Sequence, residues 1–205
     1  MPTLPSILLS NGKFCRLPFI AGTNLDKGTV FTSNGSFDEE VINNLIIANF
    51  SPPFKSGTNS DLADTAQRIV EMYPNDPAQG SPFNTGNQTF DLPPQSKRAA
   101  AIEGDISFQS QRRLWCQTAA ALGVQVFSYL FTQPQTPPSL GVYHGSEVRF
   151  VYCTNLYGSN RPRSNGSQVM RYVRPFRQPA TNLNGAKIVE DTLNNGQLSS
   201  KTYLN

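Results

Sequence analysis

One histidine, His144, stands in the whole 205-residue sequence. That scarcity excludes zinc sites built on several imidazoles. No CxxC pair occurs among Cys15, Cys116 and Cys153 to build one from thiolates. No metal site is therefore expected. The odd cysteine count leaves at least one thiol free, and burial is its expected state. No apolar run approaches the ~20 residues that a membrane-spanning helix needs. Met1-Pro2-Thr3-Leu4-Pro5 has neither a basic region nor a long apolar stretch, so no signal peptide is read there. The net charge of +3 is too small to point to nucleic acid or an anionic membrane. Also missing are a Gly-x-Ser-x-Gly elbow, a phosphate loop and a dinucleotide-binding glycine fingerprint. The chain thus offers no recognisable serine nucleophile, and it has no internal repeat.

What is present centres on Gly141-Val142-Tyr143-His144-Gly145-Ser146-Glu147. An imidazole between glycines, just past an apolar run, is a candidate general base, because imidazole takes and returns protons near neutral pH. The competing reading is a loop histidine that only packs or hydrogen-bonds. The apolar run itself, Val124 to Phe131, reads as a buried strand. An earlier one, over 17–22, reads the same way, with Pro18 at its first position, where no ladder donor is lost. The polar segment Gly22 to Thr29 follows as a loop at the strand's C-terminal end, where open α/β sheets gather functional groups.

Between the two strands the pattern is helical. Ser36 and Glu39 form a capping box ahead of Val41, Ile42, Leu45 and Ile46 on one face, and Pro52-Pro53 stops that helix. A second helix is expected from about Asp61 to Tyr73, ended by Pro74. Asn75 to Pro94 reads as loop. Residues 95–122 read as a helix pair interrupted near Gly104-Asp105. Asp105 caps the second piece, Gly123 closes it and Trp115 packs inside. Arg161, Arg163, Arg171, Arg174 and Arg177, with Tyr172 and Phe176, form a mildly basic aromatic cluster, read as the solvated face of a short helix over 167–176. Residues 178–205 are polar and expected to be poorly ordered. Glycosylation sequons occur at Asn34, Asn49, Asn87 and Asn165. They fit a glycoprotein, but a chain rich in Asn, Ser and Thr also produces them by chance.

Several stretches, taken together, resemble the type-B carboxylesterases, within them the fungal esterases and lipases of the α/β-hydrolase fold. Pro5 to Phe14 and Leu17-Pro18-Phe19-Ile20-Ala21-Gly22-Thr23-Asn24 look like the segment leading to the catalytic acid. Tyr73-Pro74-Asn75-Asp76-Pro77-Ala78-Gln79-Gly80-Ser81-Pro82-Phe83 looks like a family loop. Lys97 to Asp105, continuing through Phe108 to Arg113, looks like the helix pair after it. Phe127 to Phe131 and Gly141 to Glu147 look like the last core strand and the histidine loop. The likeness runs from about Pro5 to Tyr152 and thins after Cys153.

The resemblance implies an α/β class and the C-terminal part of an α/β-hydrolase fold, with two or so parallel core strands. Residues 1–152 would belong to the esterase domain, and 153–205 would form a weakly matching, partly disordered extension. It implies a serine-triad carboxylic-ester hydrolase needing no cofactor, with ester or lipid substrates and relatives that are often secreted. His144 would be the triad base. The nucleophile elbow and oxyanion hole would lie in segments this sequence does not contain. The family's acid sits in Asp-Glu-Gly-Thr, whereas here Asp26-Lys27-Gly28-Thr29 puts Lys27 in its place. Asp26, one residue out of register, is a poor substitute acid. The chain alone is therefore expected to be inactive. The alternative is a non-catalytic remnant or interaction module that keeps only the fold.

Overall fold

A computed structural model describes residues 3–32, 35, 37–50 and 59–151, with the backbone of 174–175. Its sheet is built on strand β1, Phe19–Asn24, lying parallel to strand β2, Val126–Phe131. Phe19 stands opposite Val126, and the register runs on to Asn24 opposite Phe131. The two residues Arg174–Pro175 (β3) lie antiparallel to Phe127 and Ser128 on the far edge of β2. The expected α/β class with a parallel strand pair is the one observed.

Around the sheet lie helices α1 (Pro5–Ser10), α2 (Thr29–Thr32), α3 (Glu39–Phe50), α4 (Asn59–Met72), α5 (Ser96–Gly104), α6 (Gln111–Ala121) and α7 (Val148–Val151). Two apolar cores result. Ile42 and Ile46 of α3 meet Ala66, Ile69 and Val70 of α4 and Ala99 and Ile102 of α5, with Phe37 beneath them. Cys116 and Ala119 of α6 pack on Ala21, Val124 and Val126 of the sheet. Each large aliphatic side chain fully buried in this way contributes about 1.5–3 kcal/mol.

Polar groups tie the helices together. The guanidinium of Arg98, on α5, donates to the carbonyls of Val70 (2.7 Å) and Tyr73 (2.6 Å) at the end of α4. There it supplements the Tyr73 amide, which donates to the Val70 carbonyl at 3.2 Å, in closing the end of α4. It also pairs with Glu39 of α3 at 3.3 Å. The Lys97 ammonium donates to Thr85 Oγ1 (2.8 Å) and to the carbonyls of Gly86 (2.8 Å) and Gln88 (3.2 Å), holding the loop before α5.

The structure corrects several expectations. β1 starts at Phe19, leaving Pro18 outside it, and extends to Asn24 because the ladder with β2 continues through that pair. β2 starts at Val126, since the amides of Gly123 and Val124 are used to close α6, bonding the carbonyls of Ala120 (3.0 Å) and Ala119 (3.1 Å). Gly123 does take the left-handed φ of +80° expected at a helix end. The cap of α3 is Asp38, whose carboxylate accepts from the Val41 amide at 2.8 Å. Ser36 lies outside the described residues, and Glu39 is engaged by Arg98.

The break expected near Gly104 is a π-turn, Asp105–Ser110, that joins α5 to α6 without interruption. The Asp105 side chain bonds Tyr73 across the fold and does not cap the following segment, while its amide closes the end of α5. Trp115, expected inside, is 44% exposed and stacks on Phe19 with ring centroids 4.3 Å apart. Cys116 and Ala119 are the α6 residues that face the sheet, which leaves Trp115 at its rim. The helix expected over 167–176 meets β3 at Arg174–Pro175. The rest of the tail, with Cys153, the other residues of the basic cluster and the polar segment 178–205, lies outside the described residues. Among the described residues, no helix is long and apolar enough to cross a membrane.

Candidate functional site

The end of β1 and the start of α2 gather the histidine loop. Asn24 is fully buried, and its side-chain amide donates to the carbonyl of Tyr143 (2.7 Å), to Ser146 Oγ (3.2 Å) and to the Glu147 carboxylate. Thr29 Oγ1 donates to the carbonyl of Leu140 at 2.8 Å. Between them Asp26 acts twice on one partner. Its amide donates to the Val142 carbonyl at 3.0 Å, and its Oδ2 accepts from the Val142 amide at 2.8 Å.

The other oxygen of Asp26, Oδ1, accepts from Ser81 Oγ (2.9 Å) and from the Phe83 amide (2.8 Å). The carboxylate is only 2% exposed. Burial pushes its pKa up, while the bonds from Val142, Phe83 and Ser81 and the charge of Lys97 pull it back. Two glycines make the arrangement sterically possible. A side chain on Gly28 would strike the carbonyl of Ala100, where the chain leaving β1 crosses α5. Gly141 has φ +57°, and its missing Cβ would meet the Asp26 carboxylate.

These contacts decide where the sequence-predicted residues stand. Both oxygens of Asp26 are committed to loop anchoring and none of its bonds goes to the imidazole. Lys27 and His144 are brought together on a single aromatic ring. The Lys27 ammonium lies 5.1 Å from the centroid of Phe108, and the imidazole lies 4.9 Å from it at 34°. Phe31 completes the group, 5.7 Å from both Phe108 and His144.

Electrostatics follow from this placement. Burial lowers the pKa of Lys27 and the Arg112 charge lowers it further, while Glu147 opposes both. The imidazole is pushed below its ordinary range, first by desolvation and next by the Lys27 ammonium, against the pull of Glu147. At neutral pH the site therefore holds a charged lysine beside an uncharged, exposed histidine.

An apolar pocket of about 200 Å³ opens beside this cluster, between α2, α3 and α5. Phe31, Phe37, Ile42, Leu45, Ile46 and Ile102 line it, with polar atoms from Thr32, Asn49 and Glu103. It is smaller than the ~300–1,000 Å³ usual for drug-sized ligands, so it suits a short chain. Sequence reasoning did not single out Asn24, Phe31 or Phe108 as site residues. The signal for the two phenylalanines was position: one lies a helical turn after Lys27, the other on the π-turn that passes it. Among the described residues, no group of three or more His, Cys, Asp or Glu could hold a metal ion.

No family model matches the chain. Individual proteins do. Secreted lipase 1 of Botryotinia fuckeliana is 33% identical over 152 residues, covering 72% of this chain and 25% of the relative. Lipase 1 of Geotrichum candidum is 33% identical over 161 residues, covering 76% and 26%. Lipase 2 of Diutina rugosa is 32% identical over 155 residues, covering 74% and 26%. The chain spans about a quarter of the length of these relatives.

Proposed function

This chain belongs to the type-B carboxylesterase/lipase family of α/β-hydrolases, and from that premise we propose that it carries the histidine part of a carboxylic-ester hydrolase site and is inactive alone. The observation that carries the reading is the fastening of the His144 loop to the end of β1 through Asn24, Asp26 and Thr29, beside an apolar pocket suited to an acyl chain. In a complete site of this kind the imidazole removes the proton of a serine hydroxyl as it attacks the ester carbonyl. It then returns that proton to the departing alcohol.

Two features argue for inactivity. The sequence holds no serine elbow, and losing the nucleophile costs roughly six orders of magnitude in kcat. Lys27 also reverses the sign of the charge that should stabilise the protonated imidazole. The Lys27 charge lowers the pKa of the imidazole, the direction opposite to that of a triad carboxylate. Lys27 is likewise the specific support for the second reading, a non-catalytic remnant that keeps the fold.

The test is a short-chain p-nitrophenyl ester assay on the folded chain, together with an alkyl fluorophosphonate, which marks activated serines covalently. The expected result is no turnover above the protein-free rate and no labelling. Turnover or labelling that disappears in His144→Ala would overturn the claim of inactivity.

A further inference from the structure

Lys27 changes the kind of molecule this site can hold. Its ammonium and the His144 imidazole share the ring of Phe108, and Phe31 touches both that ring and the imidazole. Phe31 is also a wall of the apolar pocket. Phe31 thus links the cation and the exposed imidazole to a cavity lined by Ile42, Leu45 and Ile46.

The charges around it are unequal. Lys27 and Arg112 are positive and one carboxylate, Glu147, which accepts from the Asn24 amide, is set against them, so this end carries an excess of one positive charge. His144 is exposed, and its pKa is lowered by burial and by Lys27, so at neutral pH it keeps one N–H to donate and adds no charge. At the pocket Glu103 contributes a carboxylate, which accepts from Ser107 Oγ at 2.6 Å. A negative headgroup is repelled from the Glu103 side and drawn to Lys27, which fixes the direction of an amphiphile.

We propose that the site binds a short- to medium-chain carboxylate, with its headgroup on Lys27 and His144 and its alkyl chain in the pocket beyond Phe31. A neutral ester of the same length gains only the pocket, whereas the free acid gains the pocket and the ammonium. This inference rests on the acyl-pocket reading above but requires no turnover. It makes the preferred ligand the acid that ester cleavage releases, and no longer the ester.

The experiment titrates octanoate and octanol separately into the 205-residue chain at low ionic strength, by calorimetry and by the His144 C2–H proton resonance. Octanoate is expected to bind roughly tenfold more tightly than octanol, the size of a modest charge contact, and to move the His144 resonance. Lys27→Gln is expected to abolish that preference while leaving octanol binding unchanged. Leu45→Trp, which fills the pocket, should weaken both ligands alike. Equal affinities in the parent chain, or a preference that survives Lys27→Gln, would overturn the proposal while leaving the pocket reading intact. Absence of octanol binding as well would overturn the acyl-pocket reading along with it. Ester turnover bears on neither binding result.

Discussion

Asp26 and Val142 are joined in both directions: the amide of Asp26 donates to the carbonyl of Val142, and the amide of Val142 donates to the carboxylate of Asp26. Two residues 116 positions apart thereby lock the turn after β1 to the loop that carries the imidazole. The same carboxylate also holds Ser81 and Phe83. Replacing Asp26 with Ala strands two backbone amides and a hydroxyl in a buried site. The expected loss is about 3 kcal/mol or more of unfolding free energy, read as a fall in the urea midpoint. A loss within a few tenths of that of an exposed control such as Lys13→Ala would show that the carboxylate holds nothing of consequence.

A second expectation concerns the Lys27 charge. Desolvation and this ammonium both lower the pKa of His144. A carboxylate in its place stabilises the imidazolium, so Lys27→Glu should raise the midpoint. The chain has a single histidine, so the C2–H resonance followed against pH reports this group and no other. A midpoint that stays put or falls contradicts the assignment of the two side chains to one ring.

The buried pair of Tyr73 and Asp105 predicts a pH dependence of stability. Tyr73 Oη donates to Asp105 at 2.8 Å, and burial raises the aspartate's pKa from 3.8 to about 6, the tyrosine bond working in the other direction. Parts of Asp105 reach the surface, but its carboxyl group lies inside, and burial governs its ionisation. Because the folded value is above the unfolded one, the folded chain holds the extra proton between these limits. The group's contribution is complete below about pH 4 and is lost as the pH rises through about 6. The rise corresponds to roughly 3 kcal/mol at most. Asp105→Asn should flatten this part of the profile when urea midpoints at pH 4.5 and 7 are compared. An unchanged difference between the two pH values would count against a buried, proton-binding carboxyl group.

A fourth expectation concerns the sheet. Among the described residues β1 pairs with β2 alone, so its other edge is open. Beside that edge Leu17 is 67% exposed and Ile20 is 52% exposed. An unpaired edge flanked by apolar side chains recruits further strands. Sedimentation velocity over a concentration series should show self-association that Ile20→Lys diminishes. Identical profiles for the two proteins would mean that association, if present, runs through another surface.

Much of this could be read before the structure, for definite reasons. The apolar runs before Thr23 and before Thr132 announced the two strands, and Gly123 announced the end of a helix. Boundaries slipped where tertiary hydrogen bonds outweighed local signals. Thr23 and Asn24 look like loop but are the last rungs of a ladder, and Val124 looks like strand but closes α6. Trp115 was misplaced because hydrophobicity does not say which face of a helix meets the sheet. The shared ring of Phe108 was invisible, since the pattern around it gives no hint of a π-turn. Asp26 was assessed only as an acid, and its anchoring role emerges only once Ser81, Phe83 and Val142 are seen to converge on it.

Arg98 has a consequence for whatever enters the pocket. Its guanidinium braces the end of α4 and reaches Glu39 on α3, so two helices are braced from α5 by one cationic side chain. α3 and α5 are also walls of the pocket. Whatever order this bracing fixes in those walls is order that an incoming chain need not supply from its own affinity.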